Sequence, residues 1–199
     1  MIGVNSDVTG VVLAGGQGRR MGGSDKGLVT IDGAPMIQYV LQRLAPQVNS
    51  ILINANRNQN TYARFGLPVI SDTISGFAGP LAGMATALEK AKTRWVLTVP
   101  CDSPLLPNDL VQRMYSQVTD AGAEIGVADD GQRMHPVFTL LQRDLLPSIL
   151  AFLERGERKI DRWFAEHRTC IVDFSDCAEA FLNVNRLEDK TMIEDRLKT

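Results

Sequence analysis

Cysteine is scarce in this chain: only Cys101, Cys170 and Cys177 occur. An odd count without C-x-x-C spacing excludes a disulfide framework and a zinc site, and predicts reduced thiols that fill the core. An excess of one charge sign is also lacking, with a net charge of −2 and a pI near 5.7. That argues against a sequence-independent hold on nucleic acid or acidic lipid and leaves a discrete pocket as the expected binding mode. No run approaches the roughly 18 apolar residues of a membrane span. The opening MIGVNSDVTG has neither the basic start nor the apolar core of a signal peptide. The expectation is therefore a cytoplasmic protein with no membrane or nucleic acid as partner. The two histidines, His135 and His167, stand in no arrangement for nucleophilic catalysis and are expected to be structural or surface residues. Cys101 has no activating base in view and is not expected to be a nucleophile.

What is present reads as one α/β domain. The 199 residues are 44% hydrophobic and 22% charged, ordinary for a soluble globular protein and enough for one full-sized core. Residues 1–199 are taken as a single domain, with 1–7 a loose start. Residues 8–14 (VTGVVLA) form a short β-branched apolar run that stops at Gly-Gly, the mark of a buried strand. Residues 15–27 are too polar and glycine-rich for regular structure and read as a long loop. MIQYVLQRLAPQ then puts Met36, Ile37, Val40, Leu41 and Leu44 at helical spacing. Further strands are expected at 50–55, 68–71, 95–99, 124–128, 136–141 and 169–174. Helices are expected at 79–92, 107–117, 145–155, 160–166 and 187–197. This alternation implies parallel βαβ crossovers: a single-domain three-layer α/β/α fold with a mostly parallel, Rossmann-like sheet.

Open α/β sheets bind ligands beyond the carboxyl ends of their strands. Those ends here deliver Gly15-Gly16-Gln17, Asn54 and Asn56, Asp72, and Pro100-Cys101-Asp102. Beside them, Gly15, Gly16, Gly18, Gly22 and Gly23 let the backbone approach a ligand, and successive N–H groups in such a loop form an anion-binding concavity. Arg19, Arg20 and Lys26 add positive charge suited to phosphate oxygens. The dinucleotide fingerprint G-x-G-x-x-G fails at Met21. A Walker A loop fails because Lys26 lies between Asp25 and Gly27. Asp102 is the carboxylate best placed to hold Mg²⁺ against a triphosphate, since that ion commonly takes one or two carboxylates plus substrate phosphates. Positioning and charge neutralisation suffice for phosphoryl or nucleotidyl transfer.

LAGGQGRRMGGSDKG at residues 13–27 resembles the signature loop of nucleotidyltransferases that activate sugars and related compounds with a nucleoside triphosphate. The Arg19-Arg20 pair and the Asp25-Lys26 step resemble the variant carried by molybdenum cofactor guanylyltransferases. INANRN (53–58), ISD (70–72), GPLAGM (79–84), PCDSP (100–104), RMHP (133–136) and FLNVN (181–185) extend the resemblance, in order, over almost the whole chain. It implies a fold of the nucleotide-diphospho-sugar transferase type. The reaction it implies takes GMP from GTP to the phosphate of molybdopterin cofactor, with release of pyrophosphate and Mg²⁺ at Asp102. The resemblance has Leu13, Ala14 and Gly15 line the guanine nucleotide through backbone groups, with Lys26, Asn54, Asp72 and Asp102 completing that site. Arg19, Lys26 and Asp102 form the implied catalytic set, and Asn183 and Asn185 face the pterin phosphate or the metal. Asp72 suits guanine, because a carboxylate can accept from both N1–H and the exocyclic amine. Other cofactor-assembly proteins and recipient apo-enzymes are the expected docking partners. A cytidylyltransferase of the same pterin, a sugar-1-phosphate nucleotidyltransferase and a non-enzymatic cofactor carrier are the alternatives.

Overall fold

The computed structural model describes residues 4–15, 25–74, 79–184, 193 and 196. Val4–Asp7 form a 3₁₀ turn that leads into β1 (Val8–Leu13), whose residues are almost all buried, as befits a strand covered on both faces. The expected loop at 15–27 lies outside the described residues apart from Gly15 and residues 25–27; Lys26–Leu28 make a further 3₁₀ turn, and β2 (Thr30–Ile31) pairs with β3 (Ala34–Pro35). The hairpin turns on Asp32 and Gly33, both at positive φ, the geometry that two-residue hairpin loops favour. Strands of two residues have no periodicity to display, so the Asp32-Gly33 pair is the signal that the sequence carries for this hairpin.

α1 (Met36–Leu44) buries Met36, Ile37, Val40, Leu41 and Leu44, the stripe the spacing predicts. β4 (Ser50–Asn54), a short α2 (Gln59–Ala63), β5 (Val69–Ile70) and α3 (Pro80–Lys90) follow. β6 (Trp95–Pro100), α4 (Leu110–Asp120), β7 (Ile125–Asp129), β8 (Met134–Gln142), α5 (Leu146–Glu154), α6 (Ile160–Ala165) and β9 (Thr169–Asp173) come next, with 3₁₀ segments at Ala45–Gln47, Arg143–Leu145 and Ser175–Phe181. The expected closing helix at 187–197 lies outside the described residues apart from Ile193 and Arg196, which are helical. No helix among the described residues is long and apolar enough to cross a membrane.

Among the described residues the large sheet has seven strands, in the order β5-β4-β1-β6-β8-β7-β9. β5, β4, β1 and β6 run parallel, as do β7 and β9; β8 is antiparallel to both of its neighbours. The reason is local. Residues 130–133 join β7 to β8 by a tight turn, and so short a connection permits only antiparallel pairing. Each face of the sheet has its own core. α1 and α4 cover one with Trp95, Phe138, Phe174 and Phe181; α3, α5 and α6 cover the other with Phe152 and Trp163. A small third cluster of Ile31, Met36, Leu105, Val184 and Ile193 packs the hairpin against the end of the chain. The architecture is the expected three-layer α/β/α, with a mixed, mostly parallel sheet.

Candidate active site

The parallel half of the sheet sets the site. Leu13 pairs in register with Asn54 on one side and Pro100 on the other, and Asn54 pairs with Ile70. The four strands therefore end together, and the residues just beyond them share one edge. Backbone bonds extend the ladder past the strands: Ala14 N–H to the Asn54 carbonyl at 2.8 Å, Ala55 N–H to Ile70 at 2.8 Å, and Cys101 N–H to Leu13 at 3.2 Å. Leu13, Ala14, Gly15, Asn54, Asp72 and Asp102 are thus brought to one place.

Asp72 is held by two asparagines. Asn54 Nδ2 donates to Asp72 Oδ1 at 2.9 Å and Asn56 Nδ2 donates to Oδ2 at 2.7 Å, while Asn56 Oδ1 accepts from the Asp72 backbone N–H at 2.9 Å. Each carboxylate oxygen retains a lone pair for a further donor, and the amides fix the plane in which it must approach. Asn54 is only 2% exposed, so in this structure it orients Asp72 from below. Gly83 on α3 makes that possible: a Cβ there would lie 2.9 Å from Asn54 Oδ1 and 3.1 Å from Leu13 Cδ2. The close packing of the α3 N-terminal turn on the site depends on the missing side chain. Asn56 is visible in the sequence at the exit of β4; its partnership with Asp72 is a tertiary fact.

Lys26 Nζ meets Asp102 Oδ2 at 2.9 Å. Asp102 is 7% exposed, and the lysine supplies the partner that burying a carboxylate calls for. Among the described residues there is no group of three acidic, histidine or cysteine side chains able to hold a metal by itself. The donor set, one hard carboxylate beside a lysine, nevertheless fits a magnesium ion that arrives with a triphosphate, because that ion takes most of its ligands from phosphate and water. The neighbouring Cys101 is buried and its thiol is pushed up by burial, then by the charges of Asp102 and Asp25, which favours the protonated form.

Asn183 reaches the same edge from the far end of the chain. Its Oδ1 accepts from the buried Ser103 hydroxyl at 2.5 Å, and the next residue, Val184, donates its N–H to the Asp102 carbonyl at 3.0 Å. The segment after Ser175–Phe181 is thereby tied to the Asp102 loop. Ser103 could not be singled out from sequence, since a lone serine after an aspartate reads equally as a turn. Arg19 and Asn185 lie outside the described residues. His135 binds Asp130 Oδ2 at 2.7 Å and stacks on Phe181 at 4.9 Å; His167 bonds Ser148 and packs edge-on against Trp163. Both histidines have structural partners.

Comparisons with known proteins bear on the family and the fold. The MobA-like NTP transferase domain family matches residues 10–170. The chain is 52% identical to the molybdenum cofactor guanylyltransferase of Shewanella loihica, covering 98% of this chain and 99% of that protein. It is 53% identical to the Shewanella piezotolerans protein of the same name, covering 96% and 93%. Among solved structures it resembles molybdopterin-guanine dinucleotide biosynthesis protein A from Archaeoglobus fulgidus, with a TM-score of 0.78 at 19% identity over 96% of this chain and 98% of that one. A nucleotidyl transferase from Methanothermobacter thermautotroptrophicus matches with a TM-score of 0.73 at 17% identity over 96% and 97%. The structural likenesses carry the fold, and the identities above 50% over nearly the whole of both chains carry more: the protein is a MobA-like NTP transferase and belongs to the molybdenum cofactor guanylyltransferases.

Proposed function

We infer that the protein transfers GMP from GTP to the terminal phosphate of molybdopterin cofactor, forming the guanine dinucleotide form of the cofactor and releasing pyrophosphate. The observation that carries the reading is the common edge where the ends of β5, β4, β1 and β6 bring Asp72, Asn54, Gly15 and Asp102 together. GTP lies along that edge. Asp72, aligned by Asn54 and Asn56, accepts from guanine N1–H and the exocyclic amine. Backbone groups of Leu13, Ala14 and Gly15 line the nucleotide, and Arg19 and Lys26 hold the phosphate oxygens. A pterin phosphate oxygen attacks the α-phosphorus in line, the bond to the β-phosphate bridging oxygen breaks, and pyrophosphate leaves with that electron pair. Asp102 would hold Mg²⁺, which when bound neutralises charge on the triphosphate and on the departing pyrophosphate. Lys26 then turns from Asp102 to the phosphates, and Asn183, fixed to the Asp102 loop through Ser103, is assigned to the acceptor side together with Asn185. The cytoplasm is the compartment this reading assigns, with GTP and the pterin as its small-molecule partners.

The test is pyrophosphate release by purified protein with Mg²⁺, molybdopterin cofactor and either GTP or CTP. Release with GTP far above release with CTP is expected, and Asp102→Asn lowers it by roughly 100-fold or more, in line with loss of a principal electrostatic group. Equal release with both nucleotides overturns the guanylyl assignment, and binding without any release points to a carrier.

A further inference from the structure

Asp25, the residue before Lys26, is gripped by both of its carboxylate oxygens. The Tyr62 hydroxyl donates to Oδ1 at 2.5 Å and the Asn58 amide donates to Oδ2 at 3.0 Å. Tyr62 is 0% exposed and belongs to the core beneath α1. Its phenol is pushed far up, first by burial and then by the neighbouring Cys101 and the bond to Asp25, so it remains a protonated donor at any working pH. On the other side of Lys26, Gly27 is wedged between the same hydroxyl and the end of β6. A Cβ there would lie 2.7 Å from Tyr62 Oη and 3.2 Å from Cys101 Cβ. The 3₁₀ turn closes the arrangement, with Leu28 N–H bonded to the Asp25 carbonyl at 3.0 Å and Val29 N–H to Lys26 at 3.2 Å. Lys26 therefore leaves the backbone between two pinned neighbours, and its ammonium meets Asp102 at 2.9 Å.

We propose that Tyr62, assisted by Asn58, is a positioning residue for Lys26: by holding Asp25 it fixes the point from which the lysine reaches the nucleotide phosphates beside Asp102. Neither Tyr62 nor Asn58 touches the reacting groups. A long, flexible lysine is a good phosphate ligand only when its origin is fixed, because the ordering of its stem otherwise opposes every contact it makes. A misplacement near 1 Å can cost on the order of 100-fold in rate. The inference rests on the guanylyl-transfer reading for the role of Lys26.

The experiment is a double-mutant cycle of Tyr62→Phe with Lys26→Ala, read by pyrophosphate release and, separately, by GTP binding and thermal melting. Tyr62→Phe keeps the ring in the core, so folding is expected to persist. It is expected to lower kcat/KM for GTP roughly 10-fold, a fraction of the loss from a full misplacement. In the Lys26→Ala background the same change is expected to cost less than about twofold, because groups that act through one another are not additive. Asn58→Gly, which removes the amide yet tolerates the positive φ at that position, should show a smaller loss that Lys26→Ala again absorbs. Full turnover by both Tyr62→Phe and Asn58→Gly overturns the proposal, and so do equal losses in the presence and absence of Lys26. If the wild type releases no pyrophosphate, the transfer reading fails, and the positioning claim stands or falls on whether the same non-additivity appears in GTP affinity. A Lys26→Ala variant with wild-type turnover and wild-type GTP affinity overturns it as well.

Discussion

At Asp72 a single carboxylate has to be both oriented and available. Two amide donors set its plane and leave a lone pair on each oxygen. If those lone pairs read guanine, Asp72→Asn should weaken GTP binding roughly 10-fold, the loss expected for a hydrogen bond to a charged group, and weaken ATP binding much less. Equal losses measured by titration would return Asp72 to a ribose role. Asp130 illustrates a different use of the same chemistry. Burial opposes its ionisation, yet the bonds from His135 and from the Gln132 and Arg133 backbone N–H groups hold it down at about 2. Because the folded value lies below the ordinary carboxylate value of about 3.9, its contribution to stability is fully present above roughly pH 4 and is lost as pH falls toward 2. Denaturant midpoints of wild type and Asp130→Asn should therefore differ at neutral pH and converge through that acid window. A difference that persisted to the bottom of the window would show that the bond is not coupled to ionisation.

At the level of elements, the site depends on how closely α3 approaches β1 and β4. Gly83→Ala improves helix propensity by about 1 kcal/mol, but the new methyl meets Asn54 Oδ1 and Leu13 Cδ2. The expected outcome is a raised KM for GTP with little change in melting temperature, because the displaced group is the one that aligns Asp72. An unchanged KM would mean that Asn54 can yield without moving Asp72. The legibility of elements follows their length. α1 and α4 carry several buried residues at helical spacing and are plain in the sequence. α2 buries only Tyr62 and follows Asn58, whose φ is positive, so it has no stripe to recognise. The 3₁₀ segment Ser175–Phe181 is equally silent, since its conformation is imposed by packing of Phe181 against Phe138, Phe174 and His135. The antiparallel place of β8 follows from a short turn, and its position between β6 and β7 is a property of the assembled sheet.

On the scale of the whole molecule, the two tryptophans lie on opposite faces of the sheet, Trp95 in the core under α1 and α4 and Trp163 in the core under α3, α5 and α6. If residues 1–199 form one domain, the single-tryptophan variants Trp95→Phe and Trp163→Phe should each give a fluorescence transition in urea that coincides with its own loss of helical circular dichroism. Separate midpoints for the two probes within one variant would divide the chain into units. The sheet joins both cores through shared strands, which is the physical ground for expecting a single transition.

The alternation of strands and helices, and the acids and amides waiting at strand ends, were determined by the sequence alone, because they depend on residue type and short spacing. So was membership of the family, whose motifs run in order along the chain. The tertiary structure decided which of those groups meet. It paired Asn54 and Asn56 with Asp72, set Lys26 against Asp102, carried Asn183 to Ser103, and brought Tyr62 under Asp25. Those partners are separated by between 16 and 80 residues of chain, and contacts of that range are fixed by sheet order and helix packing, which local patterns do not encode.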